Sequence, residues 1–171
     1  MASNHYLDTN IQKAFQSHIA GCEEHQLKLA SVIKDANQHQ QSLAIAWLDL
    51  ANAYGRVSHQ LIQFALSHYH APSEFLALDS NLYENQQWET KPVDLLFGVV
   101  QGDPLSVSIF NNAINLLLDH IQTVCPDAGY RFSSSARELL ILQYADDTCL
   151  IAKNAKKSQQ MLQATGVVGL G

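Results

Sequence analysis

The chain has 171 residues, 47 per cent of them apolar, which is enough to bury one domain core and too apolar for a disordered chain. Lys plus Arg number 10 against 16 for Asp plus Glu, a formal net charge of −6, so composition alone argues against the basic footprint usual in nucleic-acid binders. No apolar run approaches the roughly 20 residues a membrane span needs, no basic-then-apolar leader opens the chain, and three scattered cysteines make no disulfide framework; an intracellular, reducing compartment is the expectation, with nucleus and cytoplasm left open.

In chain order, residues 11–40 are polar with helical spacing. Ala20, Leu27, Ala30 and Ile33 share one face, which predicts an exposed helix covering a core. Residues 43–49 form an apolar run ending in a carboxylate, the pattern of a buried strand. Ser58 reads as a helix cap before Ile62, Ala65, Leu66 and Tyr69. Another helix is expected after Pro72, ending before Trp88, then a short strand at 93–97 and a loop from Gly98 to Gly102. Asp103-Pro104 starts a helix that runs to about Val124, with Ile109, Ala113, Leu117 and Ile121 on one face. Residues 138–144 and 148–152 flank Ala145-Asp146-Asp147 as a hairpin, and a last helix begins near Ala155. This order predicts an α+β domain with a small, mainly antiparallel sheet packed on helices.

Two adjacent carboxylates between apolar strands are costly unless solvated or paired with a cation. Neighbours in a regular strand point to opposite faces, so Asp146 and Asp147 can serve one site only at a tight turn. Magnesium takes oxygen ligands, commonly one or two protein carboxylates together with substrate phosphates. Asp49 also ends a buried strand, and two metals held by such carboxylates could activate a hydroxyl and stabilise a leaving pyrophosphate. The plainer alternative is a polar surface turn with a strand-end carboxylate elsewhere.

Asp49 with an aromatic five positions on (Tyr54), then Gln101-Gly102-Asp103-Pro104-Leu105-Ser106, then Tyr144-Ala145-Asp146-Asp147 resemble, in that order, the reverse transcriptases of non-long-terminal-repeat (LINE-type) retrotransposons. Gln12-Lys13-Ala14-Phe15 and Gly21-Cys22-Glu23-Glu24-His25 resemble the stretch just before the palm in these elements. The resemblance implies a partial domain over 1–171, with a fingers-side helical segment at 1–41 and the palm at 42–171, and with the thumb and the basic parts of the fingers outside it. It implies an RNA-directed DNA polymerase using an RNA template, a DNA primer and deoxynucleoside triphosphates, with two Mg²⁺ ions for which Mn²⁺ can substitute. Asp49, Asp146 and Asp147 would be the catalytic metal ligands. Tyr54 would lie under the incoming sugar and exclude a 2′-hydroxyl, Gln101 and Gly102 would adjoin the nucleotide, and Tyr144 would pack near the primer terminus. Asp103 is read as a helix cap. Gly55 stands where the family often has an acidic residue, and Val100 where it often has arginine. A second reading is a truncated retroelement relic that keeps the palm fold and catalyses nothing. A polymerase that copies RNA into RNA is disfavoured by Tyr54 and by Tyr144-Ala145-Asp146-Asp147.

Other candidates carry less. Cys22 and His25 lack a second pair for zinc, and Cys149 reads as core. His59, His68 and His70 read as ordinary surface or core residues, Ser106 and Ser108 carry no nucleophile signature, and Lys156 and Lys157 form a solvated helix face.

Overall fold

The computed structural model describes residues 10–14, 20–49, 52–77, 98–99 and 104–167. The elements are α1 (Gly21–Gln38), β1 (Ala44–Leu48), α2 (Ala53–Arg56), α3 (His59–His68), α4 (Pro104–Val124), β2 (Tyr130–Arg131), β3 (Glu138–Leu139), β4 (Ile141–Tyr144), β5 (Asp147–Ala152) and α5 (Ala155–Val167). Helices thus combine with small antiparallel sheets, as the sequence pattern predicts. Two compact units divide the chain, residues 51–116 forming one and residues 1–50 with 117–171 the other. No helix among the described residues is long and apolar enough to cross a membrane.

The larger unit is built on a three-stranded sheet of order β1-β5-β4, with both pairings antiparallel. Alternation along β1 divides its side chains between two layers. Ala44, Ala46 and Leu48 pack with Leu150 and Ile141 against Leu117, Leu118 and Ile121 of α4 and Met161 of α5. Ile45 faces the other way, with Cys149, Ile151 and Leu142, against Val32 and Ala36 of α1. Both faces of the strand thus meet apolar side chains, but all of its residues are partly or largely exposed and Trp47 is 68 per cent exposed, so the expected buried strand is only half covered. Helix α1 is also held by Asp35, whose Oδ2 accepts from the Tyr130 hydroxyl at 2.7 Å and the Ser133 amide at 3.0 Å. The Tyr130 hydroxyl lowers the Asp35 pKa, while burial, followed by its bond to Asp35, pushes Tyr130 up to about 12.

Three expectations need correction here. Helix α1 begins at Gly21, not near residue 11, because residues 11–13 lie beside β4: Gln143 N donates to Ile11 O at 3.0 Å and Lys13 N to Gln143 O at 3.1 Å. The buried stripe of α1 is not the expected one. Leu27 and Ile33 are 69 and 40 per cent exposed, whereas Val32 and Ala36 are buried. Finally, residues 138–144 are not one hairpin arm, since β3 pairs with β2 while β4 pairs with β5.

In the smaller unit, Ser58 caps α3 as expected, its Oγ accepting from Leu61 N at 3.1 Å. Ile62, Ala65 and Leu66 are buried, as are Ile109 and Ala113 on α4. After Pro72 the chain is helical over 73–77. The rest of that expected helix and the strand at 93–97 lie outside the described residues. Gly98 has φ +90, which a residue bearing Cβ rarely adopts, and that Cβ would also sit 3.2 Å from the Gly55 backbone.

Candidate active site

The register of the three-stranded sheet puts the end of β1 and the start of β5 at the same edge. Leu48 pairs with Thr148, so Asp49 directly follows β1 and Asp147 opens β5. Asp147 shares a sheet face with Cys149, the partner of Trp47. Tyr144 pairs with Asp147, leaving Ala145 and Asp146 as a two-residue turn. Ala145 has φ +54, and a positive φ at this position is what hairpin turns of this length require. Asp49 and Asp147 are exposed and Asp146 is partly buried.

Among the described residues no lysine or arginine forms an ion pair with any of the three. Such unneutralised oxygen donors suit a hard divalent cation, which needs only one or two protein carboxylates when substrate phosphates complete its shell. Among the described residues, however, no group of three His, Cys, Asp or Glu side chains is close enough to hold an ion. The described carboxylates thus form no closed protein cage for an ion.

The turn is held from beneath. Gln12 is fully buried, and its Oε1 accepts from the main-chain N–H of Ala145 and of Ala14, both at 3.0 Å. Its Nε2 donates to Ala145 O at 3.3 Å. His25 Nε2 faces two carbonyls, Ile11 O at 3.0 Å and Gln143 O at 2.9 Å, so this nitrogen carries the proton. Gly21 permits the close packing of α1 on this corner, since a Cβ there would lie 2.8 Å from Lys13 Cβ and 3.1 Å from the Tyr144 ring. Beside Asp147 opens a cavity of about 210 Å³, lined among others by Trp47, Leu142, Tyr144, Cys149 and His25. Its walls are mostly apolar, and Cys149 is held as a thiol, its pKa raised to about 11 by burial.

A sequence profile described as "Reverse transcriptase (RNA-dependent DNA polymerase)" matches residues 3–168. The chain belongs to the reverse transcriptase family. Among its relatives is a retrovirus-related Pol polyprotein from the type-2 retrotransposable element R2DM of Drosophila melanogaster, 29% identical over 161 residues, or 88% of this chain and 15% of that protein. A Pol polyprotein from the type-1 retrotransposable element R2 of Nasonia vitripennis is 30% identical over 83% of this chain and 14% of its own length. The equivalent protein of Bradysia coprophila is 29% identical over 81% of this chain and 16% of its own length. This reverse transcriptase chain therefore spans only about 15% of the curated relatives it matches.

The remaining candidates stand apart from the carboxylates in chain order. Tyr54 lies on α2 with its ring stacked on Phe110 of α4, centroids 4.1 Å apart. The chain is also tied there to the loop: Val99 N donates to Tyr54 O at 2.9 Å, and His59 Nε2 donates to Gly98 O at 2.8 Å. His59, read from the sequence as an ordinary residue, thus anchors the main chain at Gly98. Gln101, Gly102 and Asp103 lie outside the described residues. Gln12 and His25 went unassigned because their partners are main-chain atoms of residues 143 and 145, which no spacing in the sequence announces.

Proposed function

We propose that this chain is the palm portion, residues 42–171 with a fingers-side segment at 1–41, of an RNA-directed DNA polymerase of a retrotransposon. The observation that supports the reading is the antiparallel pairing of β1 with β5, which ends just before Asp49 and begins beside the Ala145-Asp146 turn, with no cationic partner of these carboxylates among the described residues. Two divalent cations bound there would supply the charge that lowers the pKa of a primer hydroxyl and stabilises the leaving pyrophosphate. Asp49 and Asp146 would hold them as principal ligands, and Asp147 would add a carboxylate on the primer side. Tyr144 contributes an aromatic edge beside the primer terminus. The stacking of Tyr54 on Phe110 supports a ring plane fixed firmly enough to bar a 2′-hydroxyl. Gln101 and Gly102 contact the incoming nucleotide, glycine allowing close backbone approach.

Primer extension on an RNA template with Mg²⁺ or Mn²⁺ tests this reading. Extension by the chain, abolished by Asp146→Ala with Asp147→Ala, is the expected result. A folded chain that extends nothing would favour the alternative, an inactive relic that keeps the fold.

A further inference from the structure

We propose that Gln12 is a positioning residue for the carboxylate site, its side-chain amide holding the turn that presents Asp146 and Asp147. The inference rests on the polymerase reading for its chemistry, but its geometry is independent of it.

Residues with a Cβ avoid left-handed backbone, and Ala145 occupies it without the help of a glycine. Such a conformation persists only where its surroundings over-determine it. Gln12 does this by engaging both main-chain polar groups of Ala145, accepting from its N–H at 3.0 Å and donating to its carbonyl at 3.3 Å. A primary amide is the side chain that offers both roles at once; a carboxylate cannot donate and an aliphatic chain can do neither. Gln12 is itself fixed. Its neighbours Ile11 and Lys13 bond to the Gln143 main chain, and the His25 ring donates to Ile11 O and Gln143 O. The clamp thus ties the turn to β4 and α1. Asp49 directly follows β1, whose five residues are fixed by pairing along β5 from Thr148 to Ala152. Without Gln12 the Ala145 backbone relaxes toward negative φ, and Asp146 and Asp147 rotate away from Asp49.

The test compares the chain with Gln12→Leu, Gln12→Glu, Gln12→Leu combined with Ala145→Gly, and Asp146→Ala. Mn²⁺ affinity is read by electron paramagnetic resonance, primer extension by kcat and KM, and folding by circular dichroism. Gln12→Leu and Gln12→Glu are expected to weaken Mn²⁺ binding and lower kcat by about 10- to 100-fold, as loss of support behind a metal ligand does. Ala145→Gly is expected to restore much of that loss, because glycine adopts a positive φ without a clamp; a residue that only stabilised the fold would not be rescued this way. Should Gln12→Leu fail to fold, Gln12→Glu, which keeps the accepting oxygen, carries the comparison. Mn²⁺ binding unchanged within about twofold in the Gln12 variants, or no recovery with Ala145→Gly, would overturn the proposal. If Mn²⁺ binds through Asp146 but no primer is extended, the polymerase reading fails and the Gln12 comparison still stands. If Asp146→Ala leaves Mn²⁺ binding unchanged, the metal reading fails. Amide exchange then decides: faster exchange at Ala145 alone in Gln12→Leu sustains the clamp, and unchanged exchange removes it.

Discussion

His25 shows how much a single side chain can report. Its Nε2–H is shared between two carbonyls, while Nδ1 is buried without a hydrogen-bond partner. Burial lowers its pKa, against the pull of the Gln143 and Ile11 carbonyls toward the charged form. The neutral ring is therefore the folded form, and the unfolded chain takes up the proton more readily. Stability is then full above the unfolded value of about 6.5 and is lost as pH falls from there through the lowered folded value. Urea denaturation at a series of pH values should show this decline, and His25→Gln, which keeps a donor and cannot titrate, should flatten it. An identical pH slope in the variant would mean that another group is responsible. The turn at Ala145-Asp146 was legible at this same scale, because adjacent carboxylates between apolar strands demand one. Gln12 was not legible, because a polar residue bound to main chain 133 positions away leaves no mark on local pattern.

At the level of elements, legibility followed how local the determining forces are. The Ser58 cap is set by contacts within one turn and is where the sequence puts it. Replacing it with alanine should cost about 1 kcal/mol, measured as a lower denaturation midpoint; no change would mean that packing alone fixes the start of α3. Helix α1 behaved differently. The stripe that faces the sheet runs through His25, Leu29, Val32 and Ala36, and only part of it is apolar. The competing stripe of Ala20, Leu27, Ala30 and Ile33 is more uniformly apolar, yet it faces outward. Hydropathy ranks the second above the first, and the bonds of His25 and Asp35 to distant partners accompany the reversed order. In the same way, the break between β3 and β4 comes from a choice of partner strand, which a continuous apolar run cannot disclose.

Across the whole molecule, exposed apolar side chains are the prominent feature. Leu27, Trp47 and Phe64 are 69, 68 and 61 per cent exposed. Isolated apolar residues on a surface are ordinary, but Trp47 borders an apolar cavity next to Asp147. Light scattering should show concentration-dependent self-association, reduced by Trp47→Ser with Leu27→Glu. A monomer at high concentration would show that these surfaces are not adhesive. The charge of −6 gives this chain no net basic character, and the chain spans about 15% of the first relative it matches.

The sheet order carries one last consequence, for the time at which the site comes into being. Its central strand, β5, is the last of the three to leave the ribosome, and it must insert between β1 and β4 before either pairing exists. Leu48 waits for Thr148, 100 residues later. Contacts so distant in sequence form slowly, since the entropy of closing a long loop is spent before any pairing rewards it. A nascent chain halted ahead of Asp147 lacks the strand that both β1 and β4 pair with, so closure of this sheet is a late event of synthesis.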